Sequence, residues 1–350
     1  MRLSCQQNGF SRDPLVTVVV PVFNKGETVY RSIASVCNQT YERLEILVVD
    51  DGSEDHSVNE VKRIRDHRIR IITQSNQGQS AARNRGIELA SGKFIAFLDA
   101  DDTWDSDHLE LLMSLTEKFP DAGLFTSAYR TKNRSGRYTE LKVRTHEEGR
   151  NGVVLPDYFK LAARAPVVWV GAVMIPKKVF DQIGGFLVGE HRGGDREMWA
   201  RIASAYSVAY VPTVSVTYDC AAVGRESAKL RRLQRPPMLD GPSQQVMANG
   251  LVGQATLKSI RQYRNKVLYG YISRAIVVSN KAEARMALRQ TIVIDFPSAV
   301  QFIWLHIVCF FPSGISRLVI RVIGSRFFFF LKKPWLRLHG IHLSKVSSTY

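Results

Sequence analysis

The stretch that decides the fold runs from Leu15 to Ser53, LVTVVVPVFNKGETVYRSIASVCNQTYERLEILVVDDGS, with its counterpart at residues 94–102, FIAFLDADD. Leu15–Val22 is a continuous apolar run rich in β-branched residues, the signature of a strand buried on both faces. Glu27–Gln39 then takes helical spacing, with Val29, Ile33 and Val36 on one side. Leu44–Val49 is a second buried strand, and Ser53–Asp66 a helix that begins near a Ser/Asp cap. The rhythm continues through a strand at Arg68–Thr73, a helix at Gly78–Ala90 and a strand at Phe94–Leu98. A helix at Asp105–Lys118 and a strand at Gly123–Ala128 complete it. Repeated βα units imply right-handed crossovers and an α/β fold with a mostly parallel sheet flanked by helices.

Past Tyr129 the pattern changes. Residues 130–152 are polar and read as a loop or hairpin, and Val167–Ile175 as a strand. Pro176–Ile183 is a short helix, residues 184–194 are Gly-rich, Asp195–Ala205 is helical and Val208–Tyr218 is a strand. Residues 221–250 resemble a boundary, and Leu257–Ser279 and Ala282–Ile294 are basic helices. The expected organisation is an extension at 1–14, a first half at 15–130, a second half at 131–222 and a helical, basic region at 223–350.

Charge follows the same division. The chain of 350 residues has a net charge of +16. Residues 1–224 hold 28 basic and 28 acidic side chains, so the whole excess lies in the remaining 126 residues. A neutral domain with a basic segment argues against a protein that coats nucleic acid. The four cysteines form no CxxC, which argues against a zinc cluster and leaves a reducing cytoplasm as the expected compartment. The first residues have no apolar run of the kind a secretory leader needs.

Ligands of open parallel sheets bind outside the carboxyl ends of the strands. Here those ends carry Pro21, Phe23 and Asn24; Asp50 and Asp51; Asn76 and Gly78 leading to Arg83; and Asp99, Ala100, Asp101 and Asp102. Crowded carboxylates repel unless a cation sits among them. Mg²⁺ or Mn²⁺ with a diphosphate would satisfy such a rim, and Arg83 would assist. A lone DDGS is more often a turn and helix cap; four such strand ends together point to a ligand. The chain has no GxGxxG after the first strand and no GxxxxGK[ST], so dinucleotide and Walker-type sites are not expected.

Residues 16–57 together with QSNQGQSAARNRGIELASGKFIAFLDADD resemble the N-terminal half of the family 2 glycosyltransferases, inverting enzymes of the GT-A fold. The resemblance covers about residues 15–220. It implies that Pro21, Phe23, Asn24 and Glu27 pack around a nucleotide base and ribose. Asp51, beside Asp50 in DDGS, would read the base, and Arg83 would lie near the nucleotide. In the DxD motif Asp99, followed by Ala100, would face the ribose or sugar, and Asp101 would hold the metal. In the second half Gly184-Gly185-Phe186 precedes Asp195-Arg196-Glu197-Met198-Trp199, which places Asp195 on the catalytic base.

Two positions depart from that pattern. Gly194 stands where the family has Glu, leaving Glu190 and Glu197 as substitutes for the base. Ala221 stands where the family often has a metal-binding His, leaving Asp219, Cys220 or water. The implied partners are a nucleotide-sugar of the UDP series and a glycan or lipid-linked acceptor. Residues 298–337 mix an apolar stretch with Arg317, Arg321, Arg326, Lys332, Lys333 and Trp335. That suits contact with an anionic membrane surface at the inner face, or alternatively closure of the domain's own core. Trp169 is expected in the core, with sugar stacking the lesser alternative, and His191 on a loop surface. A non-catalytic scaffold and a sugar-1-phosphate nucleotidyltransferase are the competing functions. The second would want a Gly-rich basic loop after the first strand, which PVFNKGE lacks.

Overall fold

Strand β1 (Val16–Val22) lies between β2 (Leu44–Asp50) and β4 (Phe94–Phe97), parallel to both. All seven of its residues are buried. Alternate residues serve opposite faces. Val16, Val18, Val20 and Val22 belong to one apolar cluster, while Val19 belongs to the other. A strand covered on both faces has no polar side to show, which is why its sequence reads as an unbroken apolar run. These coordinates are a computed structural model describing residues 14–143, 151–190, 193–222, 233–239, 257–278, 280–291, 303–305 and 307–309.

The sheet order is β3-β2-β1-β4-β9-β6-β10-β5. β3 (Ile69–Thr73) pairs parallel with β2. β6 (Leu124–Lys132) and β10 (Val208–Asp219) are also parallel, with register irregularities between Val211 and Val216. The sheet is mixed. β9 (Val173–Pro176) runs antiparallel to both β4 and β6, and β5 (Thr103–Trp104) antiparallel to β10. β7 (Tyr138–Leu141) forms a hairpin with β6, and β8 (Val153–Val154) pairs with β10. The GT-A type of α/β arrangement expected from the sequence is present.

Helices α1 (Val29–Cys37), α2 (Ser57–Lys62), α3 (Gln79–Leu89) and α4 (His108–Lys118) connect the first strands. α5 (Tyr158–Ala162), α6 (Lys177–Ile183) and α7 (Gly194–Ala205) belong to the second half, and α8 (Leu257–Val277) and α9 (Lys281–Leu288) to the basic segment. Four elements differ from the sequence expectation. α2 begins at Ser57, not Ser53, because Asp50 and Asp55 carboxylates take the N–H groups of Ser53 and Ser57. Such side-chain turns compete with helix. The strand expected over Val167–Ile175 begins only at Val173, since Val170–Ala172 forms a 3₁₀ turn whose Gly171 carbonyl accepts the Trp104 indole N–H. α5 and β5 were not foreseen. Both are too short to carry a periodic signal.

The described basic segment packs into the domain. Tyr263, Leu268 and Ile272 of α8 share one apolar cluster with Met198 and Trp199 of α7. Of residues 298–337, the structure describes only 303–305 and 307–309. Leu305, Val308 and Cys309 are buried in that same cluster, while Ile303 and Ile307 are exposed. Among the described residues, no helix is long and apolar enough to cross a membrane.

Candidate active site

The register that pairs Val22 with Asp50, and Asp50 with Thr73, brings three strand ends to one rim. β4 joins them through Val19 and Phe97. Asn24 takes a left-handed backbone, φ 50°, which Asn tolerates better than most residues. Its N–H donates to Ser53 Oγ and its Oδ1 accepts the Glu54 N–H, so the β1 and β2 loops are tied together. Pro21 is buried, while Phe23 and Glu27 are exposed. Glu27 lies 3.6 Å from His56 Nε2.

The two aspartates of DDGS do different work. Asp50 closes the turn by accepting the Ser53 N–H at 3.1 Å, the commonplace role of such a motif. Asp51 spans to the next loop. Its Oδ1 accepts from Gln74 Nε2 and Gln77 N–H, and its Oδ2 from Gly78 N–H at 2.8 Å. The carboxylate thereby shapes residues 74–78, the entrance to α3.

α3 presents Arg83 to the rim. The guanidinium is ion-paired with Asp99 Oδ1 at 2.7 Å, which also accepts from Gln79 Nε2. It lies 5.4 Å from the Phe186 ring centroid, and its Nε is buried with no hydrogen-bond partner. Asn84, one residue on, bonds both the N–H and the carbonyl of Phe186 at 2.8 Å. A Cβ on Gly185 would come within 2.4 Å of Asn84 Oδ1, and Gly184 has φ 78°. Both glycines of the GGF turn are therefore required, one by contact and one by backbone conformation.

The DADD segment shows how its charge is balanced. Lys25 Nζ reaches Asp101 Oδ2 at 2.7 Å, and Ala100 offers its carbonyl to the Thr28 hydroxyl. Asp102 is fully buried; it accepts the Trp169 indole N–H at 2.8 Å and the Asp219 N–H at 3.0 Å. Arg31 pairs with Asp219 Oδ2 at 2.7 Å and donates to the Asp101 carbonyl. Burial raises the Asp101 carboxyl above its ordinary value, Lys25 opposes this and Asp99 adds to it. Burial, with Asp101 and Asp99 beside it, pushes Asp102 well above the usual carboxylate range. Burial also works on Asp219, but the Ala221 N–H and Arg31 outweigh it and hold that carboxyl below its ordinary value.

Protein cations supply part of the countercharge for this crowding. Lys25, Arg31 and Arg83 each neutralise one carboxylate of the rim. Lys25 and Arg31 flank the start of α1, and only folding sets them against Asp101 and Asp219. Among the described residues, no three His, Cys, Asp or Glu side chains gather as a metal cage. The donors on hand are the hard oxygens of Asp101, with Asp99 beside it. They fit Mg²⁺ or Mn²⁺ that takes one or two carboxylates and fills its shell with diphosphate and water. Asp219, named as a substitute ligand, has both oxygens engaged, one by Arg31 and one by the N–H of Ala221 itself.

Asp195 stands in the first turn of α7, partly exposed, with Oδ1 accepting the Arg196 N–H. A Cβ on Gly194 would lie 3.5 Å from Ser80 Oγ, so the start of α7 abuts the start of α3. Asp195 also neighbours Tyr158 of α5 and Tyr263 of α8, whose buried hydroxyls bond each other. Burial, chiefly, and Asp195 raise the pKa of both. Glu197 is removed as a substitute base, being fully buried and paired with Arg201 through both oxygens. Glu190 accepts from Gln234 Nε2 at 2.7 Å. Trp169 stacks on Tyr218 at 3.9 Å with Tyr129 6.0 Å away, a packed aromatic column in keeping with the core expectation. His191 lies outside the described residues, as do Cys5 and the first 13 residues.

Comparison with known proteins gives the chain's relatives and fold neighbours. A family profile described as "Glycosyl transferase family 2" matches residues 17–184. An uncharacterised glycosyltransferase of Rickettsia felis is 34% identical over 199 residues, 56% of this chain and 31% of that protein. The Escherichia coli protein named UDP-Glc:alpha-D-GlcNAc-diphosphoundecaprenol beta-1,3-glucosyltransferase WfgD is 42% identical over 107 residues, 30% of this chain and 42% of that one. The chain thus matches less than half the length of either relative. The structure of S. aureus TarS 1-349 in complex with UDP-GlcNAc superposes with a TM-score of 0.52 at 13% identity, covering 87% of this chain and 91% of that one, which shows a shared fold. Residues 17–184 thus match the glycosyl transferase family 2 profile, on the GT-A type of α/β fold.

Proposed function

We propose that this chain is an inverting glycosyltransferase that uses a UDP-sugar and a divalent metal. Its acceptor is a hydroxyl of a surface-polysaccharide or lipid-linked oligosaccharide precursor. The observation that carries this is the convergence of Asp51, Arg83, Asp99 and Asp101 on one rim, with Asp195 on the helix that abuts α3. The names of the E. coli relative and the S. aureus structure support a UDP-sugar donor. The former also supports a lipid diphosphate acceptor.

The chemistry follows from the residues. Asp195 accepts the proton of the acceptor hydroxyl as its oxygen attacks the anomeric carbon, worth about 10²–10⁴-fold. The bond from that carbon to the diphosphate breaks, and its electron pair leaves with the nucleoside diphosphate. Arg83, already at the rim, stabilises the developing charge. Held by Asp101, Mg²⁺ or Mn²⁺ would neutralise the same diphosphate. Asp51 and the 74–78 loop, with Pro21, Phe23 and Asn24, would frame the base.

We place the acceptor at the cytoplasmic face of a membrane, with residues 298–337 as the docking segment. Support comes from the positive charge of residues 225–350 and the exposed Ile303 and Ile307. Retention of the full chain on anionic vesicles, and its release by salt, tests that placement. The activity is tested by a thermal-shift screen of nucleotide-sugars with and without Mn²⁺, followed by a donor-hydrolysis assay. Stabilisation by UDP compounds and hydrolysis that depends on Asp195 are expected. No shift with any UDP compound overturns the reading, and UDP binding without turnover favours the scaffold.

A further inference from the structure

We propose that Lys25 is a built-in competitor for the cation on Asp101, and that its displacement couples cation binding to diphosphate binding. This rests on the nucleotide-sugar reading above. The Lys25 ammonium is 2.7 Å from Asp101 Oδ2, with the two side chains 14% and 11% exposed. A hard divalent ion needs the same lone pairs. Even on the other oxygen it would meet a like charge a few ångströms off, in a partly buried setting where repulsion is poorly screened. Ion and ammonium therefore exclude each other on this carboxylate.

The backbone of Lys25 does not move with its side chain. Its N–H is bonded to Ser57 Oγ at 2.7 Å, and its carbonyl accepts from Thr28 and Val29 at 2.9 Å. Only the flexible stem can swing. The neighbouring rim carboxylates are already supplied: Asp99 by Arg83, Asp219 by Arg31, and Asp102 by Trp169 and the Asp219 N–H. A released ammonium thus meets no unpaired carboxylate there. The diphosphate brought in with the ion is the anion chemically suited to it, since Lys serves phosphate as a point charge. Without nucleotide the rim holds its own cation and binds the metal weakly. With nucleotide, metal and ammonium share the new negative charge.

The test uses the full chain, with Mn²⁺ binding followed by electron paramagnetic resonance and UDP binding by calorimetry. In Lys25→Met, Mn²⁺ affinity without nucleotide should rise by about fivefold or more, the worth of a partly exposed ion pair, and metal-free UDP affinity should fall. Asp101→Asn added to Lys25→Met should abolish the gain. A measurement on the unaltered protein guards against a misfolded variant. Acylation of Lys25 by an N-hydroxysuccinimide ester, read by peptide mass spectrometry, should be slow alone, faster with saturating Mn²⁺ and slow again with Mn²⁺ and UDP. Unchanged Mn²⁺ affinity in Lys25→Met, or acylation indifferent to Mn²⁺, while UDP still binds, overturns this proposal alone. Failure of the unaltered protein to bind UDP in any condition overturns the nucleotide-sugar reading and this proposal with it.

Discussion

Arg201 clamps Glu197 one helical turn away on α7, with its Nε 2.8 and 3.0 Å from the two carboxylate oxygens. Its remaining donors reach the carbonyls of Ile183 and Gly185, so one guanidinium fastens the GGF turn to the helix that carries Asp195. Breaking such a pair from one side leaves an uncompensated buried charge. Glu197→Ala should therefore destabilise the fold by about 3–5 kcal/mol in denaturant titration. A variant that keeps its stability but loses turnover would instead make Glu197 a base.

Asp195→Asn separates chemistry from structure. The side chain is partly exposed, and its Oδ1 accepts a local hydrogen bond from the Arg196 N–H. The melting temperature and UDP affinity should stay near those of the unaltered protein. Transfer rate should fall at least about 10²-fold, the contribution of a general base. Equal turnover by both proteins would remove Asp195 from the mechanism.

Asn84 joins the two halves of the domain, its amide serving both backbone groups of Phe186. Asn84→Ala leaves a buried N–H and carbonyl unmet, at about 1–3 kcal/mol for each group left unsatisfied. The unfolding midpoint should drop accordingly. Because Arg83 sits against the Phe186 ring, UDP affinity should weaken as well. A stable variant with intact UDP binding would mean that the turn holds its place by packing alone.

His108 gives the fold a pH dependence. It is fully buried against Trp104, with Nδ1 2.8 Å from Ser215 Oγ, and burial pushes its pKa down to about 3. In the unfolded chain the imidazole titrates near 6.5. Between those values the unfolded state binds the extra proton. Stability is full above about pH 6.5 and is lost as pH falls toward 3, by up to about 1.4 kcal/mol per pH unit. Denaturant midpoints from pH 7 to 5, above most carboxylate titration, should show this slope, and His108→Phe should flatten it. An equal slope in both would place the effect elsewhere.

The sequence by itself determined the order of strands and helices through β6, the two-residue β5 excepted, because residues buried on both faces of a parallel sheet must be apolar throughout. It also located the chemistry. DDGS, the Arg83 helix and DADD follow apolar runs whose carboxyl ends must share a rim, and GGF before Asp195 marks the second half. What only the tertiary structure decided is how that rim balances its charge. Lys25 and Arg31 look like surface residues of a loop and a helix, since pairing across 76 and 188 positions has no local signal. The same holds for Glu197, a candidate base in the chain and a clamped strut in the fold. It holds too for α8, whose basic sequence suggested an appendage while Tyr263, Leu268 and Ile272 pack against the helix that bears Asp195. Periodicity reports which residues must be buried; the partner of a buried charge depends on which elements meet, and that is settled only when the sheet closes.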